Sequence, residues 1–323
     1  LLLFLLSKIS YSLNLVDYPK KGKIHSNETA YTGGISISII LFFSMFLFNF
    51  LDRGLYAIIF GSFLISFIGF IDDKYSLNVT SKLILQTIPV VYLILSENLI
   101  LSQLGNYNYF TIQLGHLKFP ITLLCVLFLI NSFNYFDGMD GTLSIAAISV
   151  LVILYFIIPN ESFQLLNTII IIPLIVFLLF NFQIFKLPKM FLGDSGSLML
   201  GFIISFTLIY LAKKNLSHPI LLAWTIVIFV YEFLSVNILR LKYKKNLFKA
   251  GQDHLHHIIF LKTKSLIITN LIIASLNIIF FILGYLSFFL ISPFVSLIIF
   301  FVFFGIFLFF RNRFIIQNIN ILV

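Results

Sequence analysis

Long apolar runs, each about as long as a helix that crosses a bilayer, most constrain what this chain can fold into, since a span takes about 20 mostly apolar residues. The runs fall near 1–16, 33–51, 54–71, 83–101, 119–135, 142–158, 167–185, 197–212, 219–239, 267–288 and 290–310. Only 10% of the 323 residues are charged, against about 25% in soluble domains. The sequence therefore predicts an all-α, polytopic integral membrane protein with about 11 transmembrane helices in a single domain, 1–323.

The basic residues indicate how the predicted spans are oriented. If the loop 17–32 is cytoplasmic, sixteen of the 21 Lys and Arg residues lie on that side, four lie on the other, and Lys8 lies within the first span. Cytoplasmic loops collect Lys and Arg, so we expect a multi-pass protein of the inner (cytoplasmic) membrane. Its net charge of +9 then needs no nucleic acid partner. Because the chain opens at Leu1 without Met, we expect a missing N-terminus and a shortened first span.

Acids and histidines gather on the same predicted side. Five separate cytoplasmic loops or span ends carry Asp17, Glu28, Asp72, Asp73, Asp137, Asp140, Asp194, Asp253, His25, His254, His256 and His257. Random placement would spread these groups over both sides. The sequence therefore predicts a functional site at the cytoplasmic interface.

Asp72 and Asp73 form a carboxylate pair at the end of a predicted span. Two adjacent carboxylates need a cation or a proton to coexist, and oxygen ligands of this kind suit Mg²⁺ or Mn²⁺. Lys82 and Gln86 follow on one face of the next helix. The alternative is a hydrophilic loop that marks the end of a helix.

Asn131, Asn134, Asp137 and Asp140 recur at every third residue. Any three in succession fall on one helical face, where amides and carboxylates can recognise a polar planar group or hold a metal. Gly138 would allow a ligand close to the backbone. A helix end followed by a turn is the alternative interpretation.

Asp194 lies between glycines, just before the predicted span 197–212. Free N–H groups and a carboxylate at a helix N-terminus suit a metal-chelated pyrophosphate, although an ordinary helix cap would look the same.

The segment His254, His256, His257 lies in a long basic loop. Zinc binding is one alternative, but no Cys is nearby and no HExxH is present, so phosphate contact or proton handling is favoured. Glu232 lies inside a span, which indicates a functional acid. We expect its partner to be Arg240 or a residue of another helix.

Together these motifs resemble the polyprenyl-phosphate N-acetylhexosamine-1-phosphate transferases, the family of WecA and MraY, and the spaced histidines are closer to its WecA-like branch. The resemblance runs from about Asp17 to His257 and covers five blocks in order. The residues that match it are Asp17, Pro19, Lys23, His25, Gly33, Gly34, Asp72, Asp73, Lys82, Gln86, Asn131, Asn134, Asp137, Gly138, Asp140, Gly141, Asn181, Phe191, Gly193, Asp194, Gly196, Ser197, His254, His256 and His257. Gly251 and Gln252 depart from the Asp-Arg that usually precedes the histidines.

The resemblance implies transfer of a sugar-1-phosphate from a UDP-sugar to undecaprenyl or another polyprenyl phosphate, with release of UMP and a need for Mg²⁺, with Mn²⁺ as an alternative. It implies metal binding by Asp194, Asp72 and Asp73, and catalytic roles for Asp72, Asp73, Lys82, His254 and His256. Substrate binding would fall to Lys23, His25, Asn131, Asn134, Asp137, Gly138, Asp140, Asn181 and His257. Whether Asp72 acts as a nucleophile or a positioning group stays open, and so does a homodimer.

A secondary transporter for anionic sugars or nucleotides is the competing class, because it would also have about 11 helices. Transporters place their sites near the bilayer midplane on broken helices, whereas the acids of this chain gather at one interface. The sequence therefore favours the enzyme.

Overall fold

The computed structural model describes residues 1–18, 28–48, 52–247, 251 and 253–317. Thirteen α-helices make up most of this part of the chain: α1 Leu2–Ser12, α2 Gly33–Leu47, α3 Arg53–Tyr75, α4 Val79–Ser96, α5 Lys118–Phe136, α6 Thr142–Ile157, α7 Glu161–Asn181, α8 Gly193–Lys213, α9 Pro219–Thr225, α10 Val227–Lys242, α11 Leu255–Thr263, α12 Leu266–Leu290 and α13 Pro293–Gln317. The predicted all-α polytopic fold is confirmed.

The described helices differ in whether they are long enough to cross a membrane. Seven of the described helices are long and apolar enough to cross a membrane, and the bent pair α9–α10 makes eight if it counts as one span. The helices α1, α2 and α6 are apolar but shorter, with 11, 15 and 16 residues. Each predicted run contains a helix, whereas the total of about 11 spans stays a prediction.

Several helices begin where a short polar side chain can bind a free backbone N–H group. Asp52 accepts from Leu55 N at the start of α3, and Asn78 accepts from Ser81 N at the start of α4. Asn160 and Ser265 cap α7 and α12 in the same way. The first N–H groups of a helix lack partners within the helix, so these caps fix where each apolar run becomes helical.

The helix α8 forms the centre of the bundle and is buried along nearly its whole length. It packs against α3, α5 and α2. At its first turn the backbone of α2 comes so close that a Cβ added at Gly34 would lie 2.0 Å from the nitrogen of Gly196. Two glycines therefore let the N-termini of α2 and α8 touch backbone to backbone.

The span formed by α9 and α10 is broken, with a bend of 76° between the two helices. Asn277 of α12 satisfies backbone groups on both sides of the break: its Nδ2 donates to the Thr225 carbonyl at 3.0 Å, and its Oδ1 accepts from the Ile228 N–H at 3.4 Å. A break in a buried span is stable only where neighbouring groups satisfy the freed backbone, and Asn277 has that role.

The helices α6 and α12 run in the same direction and share two polar contacts seven residues apart. Thr142 Oγ1 donates to Asn270 Oδ1 at 2.7 Å, and Asn277 Nδ2 donates to Ser149 Oγ at 3.1 Å. Polar side chains between helices in a bilayer add interhelical hydrogen bonds to the packing, so these contacts set the register of α12 on α6.

Short strands flank the helices. β1 Val16–Asp17 pairs antiparallel with β2 Thr29–Ala30, and β3 Gln103–Asn106 pairs antiparallel with β4 Thr111–Gln113. Neither pair was predicted from the sequence. The helix α11 was also unexpected, because the segment around the histidines was predicted to be a loop.

Candidate active site

Four elements bring a compact polar cluster to one end of the bundle. Asp72 comes from the end of α3, Lys82 from the start of α4, Asn134 from the end of α5 and Asp194 from the start of α8. Lys82 Nζ lies 2.7 Å from Asp72 Oδ2 and 2.5 Å from Asp194 Oδ2. Asn134 Nδ2 donates to Asp194 Oδ1 at 2.7 Å. The structure thus joins three motifs that are up to 122 positions apart, from Asp72 to Asp194.

Asp73 holds the turn that presents Asp194. Its two carboxylate oxygens accept the N–H groups of Asp194 and Ser195, at 2.8 and 3.1 Å. Gly193 has a φ of +73°, and a Cβ there would lie 2.6 Å from Asp73 Oδ2. Glycine is therefore required both by the backbone conformation and by the contact. These contacts make Asp73 a support of the turn, and metal binding by Asp73 stays a prediction.

Asp137 lies beside this cluster, just after α5. Burial raises the pKa of its carboxyl to about 8, and the negative charges of Asp194 and Asp140 add to the rise. Lys82 opposes this rise. The region therefore holds more carboxyl groups than nearby cations can neutralise, and it favours an added positive charge.

Asp140 lies in a different environment from Asp137. Its Oδ2 is 2.7 Å from Lys189 Nζ, and its Oδ1 accepts from Asn181 Nδ2 at 3.4 Å. Asn181 Nδ2 also donates to the carbonyl of Met190. Asp140, in the turn between α5 and α6, and Asn181, at the end of α7, thus both bind the connection between α7 and α8. Their contact with a substrate stays a prediction.

Asn131 lies two turns back along α5 from the end that carries Asp137. Its Nδ2 donates to Gln86 Oε1 of α4 at 3.3 Å. Gln86 is fully buried, and its side-chain amide nitrogen Nε2 has no hydrogen-bond partner among the described residues. Asn131 therefore connects α5 to α4 through Gln86, and its contact with a substrate stays a prediction.

The histidine segment lies over the glycine of the α5–α6 turn. A Cβ at Gly138 would lie 2.4 Å from His256 Nε2. Burial lowers the pKa of His256 well below 6.5 and lowers that of His257 to about 4, and the neighbouring imidazoles add to both shifts. These two rings are neutral at pH 7, so they can offer hydrogen bonds to a phosphate but no positive charge.

His254 is oriented by two helices that the sequence did not connect to it. Its Nδ1 lies 3.3 Å from Glu232 Oε1 of α10. Glu232 in turn pairs with Arg311 of α13. Of the two partners expected for Glu232, the residue of another helix is the one found, since Arg240 binds both oxygens of Asp253 instead, at 2.9 and 2.7 Å. The sequence does not indicate that Arg311 is buried, because an arginine after a predicted span looks like an ordinary cytoplasmic charge.

Two predicted substrate-binding residues, Lys23 and His25, lie outside the described residues, as does Gln252. Among the residues that are described, no three His, Cys, Asp or Glu side chains are arranged to hold a metal ion by themselves. Mg²⁺ commonly uses only one or two carboxylates together with substrate phosphates. The pair Asp72 and Asp194 fits that mode of binding.

The fold and the polar cluster define a polytopic membrane protein with a centre of carboxylates, a lysine and an amide at one end of its helices. The model of glycosyl transferase family 4 matches residues 55–212, which include this whole cluster. Over this segment, just under half of its length, the chain is similar to that family.

Curated relatives are similar over most of the chain. An undecaprenyl-phosphate alpha-N-acetylglucosaminyl 1-phosphate transferase of Escherichia coli (strain K12) is 28% identical over 271 residues, which is 80% of this chain and 72% of the relative. The protein of the same description from Yersinia pestis is 26% identical over 264 residues, with the same coverage. A probable undecaprenyl-phosphate N-acetylglucosaminyl 1-phosphate transferase of Bacillus subtilis (strain 168) is 27% identical, over 78% of this chain and 72% of its own length.

Proposed function

We propose that this protein transfers N-acetylhexosamine-1-phosphate, GlcNAc-1-phosphate or a related sugar, from a UDP-sugar to undecaprenyl or another polyprenyl phosphate and releases UMP. The observation that carries the proposal is the convergence of Asp72, Lys82 and Asp194 at one end of the bundle. The relatives named above act on undecaprenyl phosphate by their descriptions. The reaction would be the first membrane step of a cell-envelope glycan pathway.

The reaction determines which bonds change. An oxygen of the acceptor phosphate forms a bond to the sugar-bearing phosphorus of the UDP-sugar, and the bond from that phosphorus to the bridging oxygen breaks. UMP leaves with the bridging oxygen, and the products are polyprenyl diphosphate sugar and UMP. A phosphate monoester, with a second pKa of about 6, is largely ionised at neutral pH. The acceptor therefore needs positioning and charge neutralisation more than a general base.

The contacts of Asp72 favour positioning over nucleophilic attack. Its Oδ1 accepts the Leu77 N–H at 2.8 Å, its Oδ2 binds Lys82, and only 7% of the side chain is exposed. A nucleophile must reach the phosphorus, whereas the oxygens of Asp72 are nearly buried and each is bound to the protein. Each oxygen keeps a further lone pair, which can bind a cation. We therefore propose that Asp72 orients Lys82 and a bound cation.

Asp72 and Asp194 are the residues that would hold Mg²⁺, with Mn²⁺ as an alternative. Asp194 is the more accessible of the two, with 30% of its side chain exposed. A bound divalent cation supplies charge neutralisation and orients the diphosphate. Lys82 supplies a second positive charge next to the same carboxylates, and Asn134 keeps Asp194 in place.

The predicted topology assigns this end of the bundle to the side with most of the Lys and Arg residues, so we propose that the site faces the cytoplasm at the inner membrane. UDP-sugars would reach it from the cytoplasm, and the lipid acceptor from the bilayer.

The broken span α9–α10 is also a feature of secondary transporters. Their substrate sites contain polar groups at the break. Within 219–242 the acids of this chain comprise Glu232 alone, and this residue is paired with Arg311. The polar cluster lies at the helix ends, so the transferase is favoured.

The test is an assay of UMP release by the purified protein in detergent or nanodiscs. A panel of UDP-N-acetylhexosamines is supplied with undecaprenyl phosphate and MgCl₂, and parallel reactions lack the lipid or contain EDTA. We expect UMP release that requires the lipid and the metal, with at least one sugar. No UMP release from any UDP-sugar would contradict the proposal.

A further inference from the structure

A buried ion pair joins the last helix to the centre of the molecule. Arg311 of α13 is 5% exposed and Glu232 of α10 is 1% exposed. The guanidinium Nη1 donates to Glu232 Oε2, and Nη2 lies 3.1 Å from Glu232 Oε1. Nη1 also donates to Ser235 Oγ at 3.0 Å. Arg311 is thus held in one orientation by two groups of α10.

The same two side chains bind the backbone on both sides of His254. Glu232 Oε1 accepts the Leu255 N–H at 3.1 Å, which is the first N–H group of α11. Arg311 Nη2 donates to the carbonyl of Asp253. The first N–H groups of a helix need partners outside the helix, and a carboxylate is favoured at that end. The pair therefore fixes the point at which α11 begins.

The orientation of the His254 ring follows from the same contacts. Its Nδ1 faces the Glu232 carboxylate at 3.3 Å. A carboxylate at this distance favours a hydrogen on Nδ1, which fixes the direction in which the ring points. The ring is stacked parallel to that of His256, with centroids 5.6 Å apart and an angle of 6° between the planes. His256 in turn lies against Gly138, next to Asp137.

Stability alone does not account for this pair. A buried ion pair is often no more stabilising than apolar side chains of the same volume, because both charges lose their hydration. Arg313, two residues further along α13, is exposed and lies over the ring of Phe309, as expected of a plain cytoplasmic arginine. Arg311 instead donates hydrogen bonds to Glu232 and to the Asp253 carbonyl, the groups that hold the histidine segment.

We propose that Arg311 is a positioning residue of the transferase, which acts through Glu232 to hold the His254 backbone and ring in the orientation that the site uses. The inference rests on the proposed function. It extends the active enzyme beyond residues 55–212, because the last helix then supplies a residue on which turnover depends.

The experiment compares variants of the full-length protein in the UMP-release assay. Arg311→Met removes the charge and strands Glu232, so it can fail to fold. The double variant Glu232→Gln, Arg311→Met removes both charges and leaves none unpaired. Arg311→Lys keeps the charge but cannot bind Glu232 and the Asp253 carbonyl with a planar fork. Arg313→Met is the matched control, on the same helix.

Folding and positioning are separated by three measurements on each variant: the melting temperature, the stoichiometry of UMP binding, and kcat with the KM for the UDP-sugar. We expect the double variant to melt near the wild-type temperature and to bind UMP fully, with kcat lower by about 10²-fold, the usual effect of a small misplacement. Arg311→Lys should lose about tenfold, the rate equivalent of one hydrogen bond, and Arg313→Met should match the wild type.

Wild-type turnover in the double variant or in Arg311→Lys would overturn the inference, and so would a loss of turnover that only follows the loss of folded protein. If the wild-type protein itself releases no UMP with any UDP-sugar, the proposed function is wrong and the inference falls with it.

Discussion

Asp194 is the residue on which the candidate site depends most. Its carboxylate accepts hydrogen bonds from Lys82 and Asn134, and its backbone N–H donates to Asp73. A side chain with this many neighbours is held in one position, yet Asp194 is more accessible than Asp72. A rigid, accessible carboxylate is what a substrate-bound cation requires.

Asp194→Asn keeps the shape of the side chain and removes its charge. We expect UMP release to fall by about 10²–10³-fold, as when a preorganised electrostatic group is lost, and the protein to fold normally. The measurement is UMP release as a function of MgCl₂ concentration.

The matched control for this variant is Asp52→Asn, at the far end of α3. Asp52 caps the helix and accepts from the hydroxyl of Tyr210, and asparagine caps helices about as well as aspartate. The control should turn over like the wild type. Near-wild-type turnover of Asp194→Asn with unchanged metal dependence would rule out the proposed metal site.

At the scale of single elements, α11 carries a histidine whose protonation should weaken the protein in acid. His257 has a pKa of about 4 in the folded state and 6.5 as its ordinary value. Between these values the unfolded chain binds more protons than the folded one, so the contribution of His257 to stability is complete above about pH 6.5 and is lost as the pH falls toward 4.

The variant His257→Gln removes this proton uptake. We expect its melting temperature, relative to that of the wild type, to rise steadily as the pH is lowered from 6.5 to about 4. Scanning fluorimetry across that range checks it, and a difference independent of pH would show that His257 is not buried as a neutral ring.

The break between α9 and α10 provides a second prediction for an element. Asn277→Leu leaves the Thr225 carbonyl and the Ile228 N–H without their side-chain partner. An unsatisfied buried polar group costs about 1–3 kcal/mol, so the melting temperature should fall clearly. Ile278→Leu, at the next position of α12 and 39% exposed, is the control and should change little. Equal melting temperatures of the two variants would mean that Asn277 does not hold the break.

The elements differ in how well the sequence predicts them. Long apolar runs fix α3, α5 and α8 because burial in a bilayer requires continuous helix. The segment of α11 has no such run, and its N-terminus is stabilised by Glu232, more than 20 residues away. Similarly, Lys82 and Asp194 were expected at one site from their common side of the membrane, but no local pattern indicates that Arg311 rather than Arg240 pairs with Glu232. Partners that are distant in the chain are a property of the packing.

On the scale of the whole molecule, the charge distribution predicts which end of the bundle faces the cytoplasm. Ser76 ends α3 beside the candidate site, and Ser217 precedes α9 at the other end. With Cys125 replaced by Ser, single cysteines at these two positions should react with impermeant maleimide from opposite sides of the membrane. Labelling of both from the same side would contradict the predicted topology.

The helix α12 makes two bonds that lie seven residues apart, so about 10 Å along its axis. Asn277 closes the broken span, and Asn270 binds the carbonyl of Asp140 at the edge of the candidate site. Because α12 is one continuous helix, it cannot shift along its axis without breaking the bonds of Asn277 and Asn270 together. Movement of the bend between α9 and α10 is therefore coupled to movement of the loop that carries Asp140. A lipid that displaces α12 would change the structure at both places.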